Sequence, residues 1–474
     1  MGRRTKIVAT LGPRSSEASV LRALIEAGID VARLNFAHAT PDAHLKNLAT
    51  ARAEAADLGR PLGFLADLPG PKMRTGPVAN DEVTLEAGET FVLTSQEVQG
   101  DRHRISTTLE DCAAMVEPGE SIFLADGEIV LDVTGTEGGD VMTRIVRGGV
   151  LRSRKGMHIP GAEHRVEMFT EADRRALDLA LELSVDFIGL SFVRSAADIR
   201  RVREHLPKRG HRPRIVAKIE TRAAVEHLDE IVAEADAVMV ARGDLGIQTS
   251  MTRVPLIQKE IIRTCNRVGV LVITATQMLE SMTRSPLPTR AEVADIANAV
   301  VDGTDALMLS EETAVGDYPA GAVQIMAETA LMAESWPSEH QPPGKEQLRE
   351  DPVSWAVANA GVLAAEHLGV AAILCPTRSG STPRHVAAFR PSMPVIGLTK
   401  RSEVIGALTL TWGVIPLVAR EQYPIPKEAR EDVARAVAAV RGAGLVREGD
   451  LVVVVAGSPG PRAGRTDYVR VVRV

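Results

Sequence analysis

Eight short apolar runs, separated by amphipathic or polar sequence, constrain this chain more than any other feature. They read TKIVATLG, DVARLNFAH, PLGFLADLPG, VDFIGLSFV, RIVAKIE, ADAVMVARGD, LVITATQM and ALMLSEET. Segments such as EASVLRALIEAG, EADRRALDLALELS, SAADIRRVREHL, RAAVEHLDEIVAEA and LIQKEIIRTCNRVG lie between them and carry apolar residues at helical spacing. Strands that are apolar throughout are buried on both faces, and helical crossovers make neighbouring strands parallel. Eight such units predict an α/β fold built on a (β/α)8 TIM barrel. An open doubly wound sheet is the alternative; the absence of a glycine-rich dinucleotide turn favours the barrel. No short-period repeat is evident beyond the alternation itself.

One stretch breaks the rhythm. Between ADLPGPKMRTG and SRKGMHIPG the chain is strand-like and turn-rich, and EVTLEAGETFVLTS and DGEIVLDVTGTEGGDVMTRIVRGG alternate in period two. Glu137-Gly138-Gly139-Asp140 is a hairpin signal. This reads as a small β domain inserted after the third barrel strand, placed to act as a lid. The helix AGAVQIMAETALMAESW closes the barrel, and the polar PSEHQPPGKEQLREDP reads as a linker. AAILCPT, MPVIGLT, GVIPLVA, DLVVVVAGS and DYVRVVRV then alternate with helical segments, as in an open α/β sheet. The expected divisions are 1–70 and 158–336 for the barrel, 71–157 for the lid and 350–474 for the C-terminal domain.

Composition removes several classes of function. The net charge of −7 argues against a general nucleic-acid binder, so an anionic substrate needs a local basic pocket. Three scattered cysteines without a CxxC pair argue against a disulfide framework or a thiolate zinc site. The start lacks the long apolar core of a secretory signal, and no apolar run is long enough to span a bilayer, so a cytoplasmic location is expected. That expectation also weakens an adhesion role for Arg242-Gly243-Asp244, which would require an extracellular protein.

A barrel builds its site from the C-terminal ends of its strands. Here those ends present Arg33 and Asn35, Asp67, Ser191, Lys218 and Glu220, Arg242 and Asp244, Thr276, then Ser310 and Glu312. Each alone has a mundane reading as a helix cap or a surface charge. Together, one rim carrying Arg and Lys cations, several carboxylates and hydroxyls points to chemistry. Glu220 and Asp244 come from the adjacent fifth and sixth strands, and two hard oxygen donors suit magnesium. Lys218 and Arg33 can neutralise phosphoryl charge. Gly243 permits close backbone approach, and the turn after it offers N–H groups to an anion. Phosphoryl transfer needs mainly such positioning and charge stabilisation. There is no GxxxxGK[ST] loop, so this is not a P-loop site.

With these residues in view, the sequence resembles the pyruvate kinase family over nearly its whole length. TKIVATLGP, RLNF, SRKG, DFIGLSFVRS, AKIE, MVARGDLG, ITATQMLESM, PTRAEVADIANAV and DGTDALMLSEETAVGDYP carry the likeness, in order. It implies phosphoryl transfer from phosphoenolpyruvate to ADP, with Glu220 and Asp244 holding magnesium (or manganese). It further implies that Lys218 stabilises the phosphoryl group in transit and the enolate, and that Arg33 holds the phosphoryl group. The backbone at Gly243 and Asp244, with Thr276, would bind the substrate carboxylate. Thr276 and Ser310 would lie on the proton route to the enolate carbon, although a water could be the final donor. Asn35, His38, Arg74 and Lys155 fall where the family meets nucleotide and phosphate. A homotetramer is the implied assembly.

Several positions depart from the family pattern. Asn35 and Asp67 remain from its monovalent-cation site, but Ala37 and Leu68 replace oxygen-bearing residues, and Lys72 stands where potassium-dependent members carry Glu. An ammonium can replace a bound cation, so potassium-independent activity is expected; the alternative is that Lys72 is an exposed hinge charge. Pro69, Thr221 and Glu311 are further departures, expected to alter kinetics rather than chemistry. In the C-terminal domain Thr377, Ser379, Gly380, Ser381 and Thr382 precede or open a helix, resembling the family's loop for a phosphorylated effector; a simple capped helix is the other reading. Arg462 or Arg465 would add to that pocket. Arg242 is expected to pair with a neighbouring strand end. The rival functions are a magnesium-dependent keto-acid aldolase or lyase and a non-catalytic sugar-phosphate-binding paralogue.

Overall fold

The computed structural model describes all residues except 1, 72, 110, 126, 161–166, 209, 338–339, 341, 344–350, 420–428 and 459–464, and gives only backbone for 429–432. Lys72, Arg462 and most of the expected linker therefore lie outside the described residues.

Eight parallel strands close into a barrel in chain order: Lys6–Leu11, Val31–Asn35, Gly63–Asp67, Phe187–Leu190, Arg214–Ile219, Ala237–Ala241, Leu271–Ala275 and Ala306–Leu309. Period-two alternation sorts their side chains between two apolar layers. On the first strand Ile7, Ala9 and Leu11 join the layer packed against the helices, while Val8 joins the barrel interior. Val31, Leu65, Phe187, Val216, Met239, Ile273 and Met308 fill the same interior. Leu410 of the C-terminal domain belongs to this interior cluster too, so that domain caps the barrel base.

A repeat is present at the strand starts. An aspartate precedes each even-numbered strand, and its carboxylate accepts the backbone N–H of the preceding odd-numbered strand. Asp30 takes Ile7 at 2.9 Å, Asp186 takes Phe64 at 2.9 Å, Asp236 takes Ile215 at 2.9 Å and Asp305 takes Val272 at 2.8 Å. GIDV, SVDF, EADA and GTDA were its signature in the sequence. The period spans two βα units and is interrupted by the lid insertion, which is why a short-period search passes over it.

The lid contains a six-stranded sheet, and its longest hairpin pairs Ile129–Glu137 with Asp140–Arg147. Gly138 and Gly139 have φ of 61° and 92°, as a turn with two left-handed residues requires. The C-terminal domain is a five-stranded sheet ordered Val414–Val418, Val395–Thr399, Ala372–Pro376, Leu451–Ala456, Tyr468–Arg473, with only the last strand antiparallel. No described helix is long and apolar enough to cross a membrane.

Candidate active site

The polar strand ends meet at one end of the barrel, where a chain of charges is buried. From the second strand Arg33, only 8% exposed, donates to Asp67 through Nε (2.9 Å) and Nη2 (2.5 Å) and to Thr10 through Nη1 (2.9 Å). The other oxygen of Asp67 lies 3.4 Å from Lys218 Nζ. Lys218 Nζ donates to Ser191 Oγ and contacts Glu220 Oε1, both at 2.8 Å. Ser191 in turn donates to the Leu68 carbonyl at 2.9 Å. Burial alone would lower the Lys218 pKa, but the fields of Asp67 and Glu220 overcome it and raise it above the ordinary lysine value. The ammonium is therefore charged throughout the physiological range.

Glu220 is also buried, and its second oxygen accepts the Phe192 N–H at 2.8 Å. Burial raises its pKa, Lys218 opposes, and the nearby Asp244 carboxylate pushes in the same direction as burial. Two carboxylates repelling each other at the barrel mouth are a donor pair suited to a divalent cation. Glu220 and Asp244 thus fit magnesium, whose remaining positions are normally taken by water and substrate oxygens. No group of three or more His, Cys, Asp or Glu residues with metal-binding arrangement occurs among the described residues, so the fit is to a two-ligand site.

Asp244 sits in the first turn of the helix Arg242–Gln248 that follows the sixth strand. Gly243 N donates to Thr276 Oγ1 at 3.0 Å. A Cβ at 243 would meet nothing but that hydroxyl, at 3.9 Å, so the space before this backbone is open to a ligand.

A cleft of about 340 Å³ separates the barrel mouth from the lid, with His38, Arg74, Lys155, Arg194, Asp244 and Glu311 on its walls. Its two sides are joined where Gln248 of the barrel helix lies 2.9 Å from Nδ1 of His158, in the strand Met157–His158 of the lid sheet, which runs one residue past the expected boundary at 157.

Comparison with known proteins agrees with this fold. Residues 2–323 match the family model described as pyruvate kinase, barrel domain, and residues 355–472 match its alpha/beta domain. The chain belongs to the pyruvate kinase family. It is 41% identical over 476 residues to a pyruvate kinase of Geobacillus stearothermophilus, covering 99% of this chain and 80% of that one. It is 37% identical over 472 residues to one of Thermotoga maritima, covering both chains in full. A crystal structure of a pyruvate kinase from Cryptosporidium parvum superposes with a TM-score of 0.88 at 32% identity, covering 99% of this chain and 96% of that one.

The pyruvate kinase fold leaves the other named residues in different situations. Asn35 ends the second strand, and its Oδ1 accepts the Ala37 N–H at 3.2 Å. Arg74 Nη1 reaches the Arg154 carbonyl at 3.1 Å, next to Lys155. Ser310 caps a short helix at the end of the eighth strand; its N–H goes to Glu312 Oε2 at 2.7 Å. Its hydroxyl makes no hydrogen bond among the described residues, so the structure does not join it to Thr276. In the C-terminal loop Thr377 Oγ1 accepts the Gly380 N–H at 2.9 Å, and the Ser379 and Ser381 hydroxyls lie 3.0 Å apart. Thr382 meets Thr466 at 2.7 Å. Arg465 pairs with Asp351 at 3.1 Å instead of adding to that loop. Thr10 was missed by sequence reasoning: as a hydroxyl inside an apolar run it carries no signal of its own until the barrel closes beside Arg33.

Proposed function

We propose that the chain transfers the phosphoryl group of phosphoenolpyruvate to ADP, giving pyruvate and ATP. The observation that carries this reading is the buried Lys218 ammonium held between Asp67, Glu220 and Ser191 at the barrel mouth, beside a cation-lined cleft. Arg33 and Lys218 receive the phosphoryl group of the substrate, and its carboxylate docks against the Gly243–Asp244 backbone and Thr276. ADP enters the cleft, where Asn35, His38, Arg74 and Lys155 meet its phosphates. As the bond from phosphorus to the enol oxygen breaks, a bond from phosphorus to an ADP phosphate oxygen forms. Lys218 stays charged throughout and stabilises the enolate oxygen. Proton delivery to the enolate carbon runs by way of Thr276, with Ser310 or a water beyond it. Magnesium, held by Glu220 and Asp244 when bound, supplies further positive charge against phosphoryl oxygens. The lid keeps water from competing with ADP as acceptor.

Four finer features belong to the same proposal. Activity is independent of potassium, with Lys72 in place of the cation. The Thr377–Thr382 loop binds a phosphorylated effector. The protein assembles as a homotetramer and works in the cytoplasm. Likeness to the family, with the departures at Ala37, Leu68 and Lys72, supports them. The deciding experiment is a coupled assay for pyruvate from phosphoenolpyruvate with and without ADP. Pyruvate formed only with ADP supports the reading; pyruvate formed without it means that water takes the phosphoryl group and points to a hydrolase, and none under any condition points to a keto-acid aldolase or lyase or to a binding paralogue.

A further inference from the structure

Arg242 is 9% exposed although it carries a full charge. A buried guanidinium needs acceptors for its N–H groups, and most of those it finds belong to one turn. Nε donates to the Ala275 and Thr276 carbonyls at 3.1 and 3.2 Å, and Nη2 donates to the Thr276 and Gln277 carbonyls at 2.6 and 3.3 Å. Nη1 is anchored on Asp295 at 2.6 Å, with Gln258 Oε1 at 3.4 Å.

The turn it grips is strained. Thr276 and Gln277 have φ of 69° and 52°. Two consecutive non-glycine residues in the left-handed region, one of them β-branched, persist only where their surroundings impose it. The conformation has a consequence at the site: Thr276 Oγ1 lies 3.0 Å from Gly243 N while donating to the Ala275 carbonyl at 2.6 Å. In extended backbone the side chain would leave the strand in another direction.

We propose that Arg242 is a positioning residue for the reaction: by holding the carbonyls of Ala275, Thr276 and Gln277 it keeps Thr276 in its left-handed conformation, with the hydroxyl at the Gly243 amide where the substrate carboxylate docks. Arg242 acts through Thr276 and does not itself touch substrate. Its neighbour Gly243 offers the backbone, Asp244 the metal ligand, and Arg242 the clamp, so three consecutive residues divide the work of the mouth. This inference rests on the phosphoenolpyruvate reading above.

The test is a double-mutant cycle on kcat and KM for phosphoenolpyruvate, with R242M, T276A and the double variant, and circular dichroism to establish folding. Wild-type enzyme must first form pyruvate in an ADP-dependent way; if it does not, the reading of the reaction fails and the cycle is not reached. The expected result is a loss of about 10²-fold in kcat/KM for R242M in the wild-type background. In the T276A background the further loss should stay within about 2-fold. Equal losses in both backgrounds overturn the proposal, because a purely structural role costs activity whether or not the threonine hydroxyl is present. If R242M does not fold, the same cycle is run with R242K, which keeps the charge but lacks the planar fork, and with D295N, which removes the charged anchor. For these the same non-additivity supports the proposal and additivity overturns it.

Discussion

Asp186 and Gly406 meet across the seam between the barrel base and the C-terminal domain, so closely that a β-carbon at 406 would overlap the Asp186 carboxylate. The contact is reciprocated by Gly63 of the barrel, where a β-carbon would overlap the Thr409 hydroxyl. Lys6 donates to the Val414 carbonyl at 2.9 Å and Arg390 pairs with Asp305 at 3.0 Å, closing the same seam. Gly406→Ala should therefore cost about 1–3 kcal/mol through overpacking. Thermal unfolding of the variant, followed beside the wild type, checks it; an unchanged midpoint would mean that the domains separate freely to make room.

Of the four strand-start aspartates, Asp186 alone has no ion pair among the described residues; Asp30 pairs with both Arg3 and Lys6, Asp236 with Arg203 and Asp305 with Arg390. Burial raises the Asp186 pKa from 3.8 to about 6, against the hydrogen bond from the Phe64 N–H and attraction from His211, Arg52 and Arg214. A carboxyl with a raised folded pKa favours folding most when protonated. Its contribution is complete below about pH 4 and is lost as pH rises through 6, a change of about 3 kcal/mol. Asp186→Asn keeps an acceptor for the Phe64 N–H without the charge. The difference in stability between variant and wild type should move in the variant's favour between pH 4.5 and 8, read from urea midpoints. A difference constant with pH would show that Asp186 titrates normally.

Lys218→Met removes the cation shared by Asp67, Glu220 and Ser191. Turnover should fall by roughly 10³-fold or more, as expected when charge stabilisation of a developing anion is deleted. The melting temperature should fall too, because the buried Glu220 loses its cation and Asp67 is left with Arg33 alone. Retained turnover in a folded Lys218→Met protein would sink the assignment of this lysine.

Glu311 adds a second negative charge, besides Asp244, to the wall of a cleft that also carries Arg74, Lys155 and Arg194. Glu311→Gln should lower KM for ADP by roughly 2- to 5-fold, as an exposed like-charge repulsion is worth. The gain should shrink at high ionic strength, because salt screens exposed charges. Titrating ADP at two salt concentrations measures both.

Activity in potassium-free buffer should change less than about 2-fold on adding KCl, and Lys72→Glu should create a potassium requirement, since it restores a charge that needs a counter-cation. A many-fold activation of the wild type by KCl would count against this.

Much of the site was visible before folding was considered. Arg33, Lys218, Glu220 and Asp244 stand at the ends of apolar runs, and in a parallel barrel every such end faces the same way. What these groups do to each other was not visible. Asp67 was marked as a remnant of a cation site, yet in the structure it bridges Arg33 and Lys218. Arg242 was expected at a neighbouring strand end and is found there, but the strain in Thr276 that gives the contact meaning lies in a backbone angle no residue name encodes. Ser310 shares the rim without a hydrogen bond to Thr276, since position along a strand does not set where a hydroxyl points.

By itself the sequence determined the layers: which segments are strands, which are helices, where the lid interrupts them and which end of the barrel is polar. These follow from periodicity and local propensity, which act over a few residues. Only the tertiary structure decided the partners. Phe64 and Asp186 are 122 positions apart and Arg242 and Thr276 are 34 apart. Such pairs are brought within hydrogen-bond reach by barrel closure and domain docking, where burial strips away water and leaves each charge to be satisfied by whichever group the fold sets beside it.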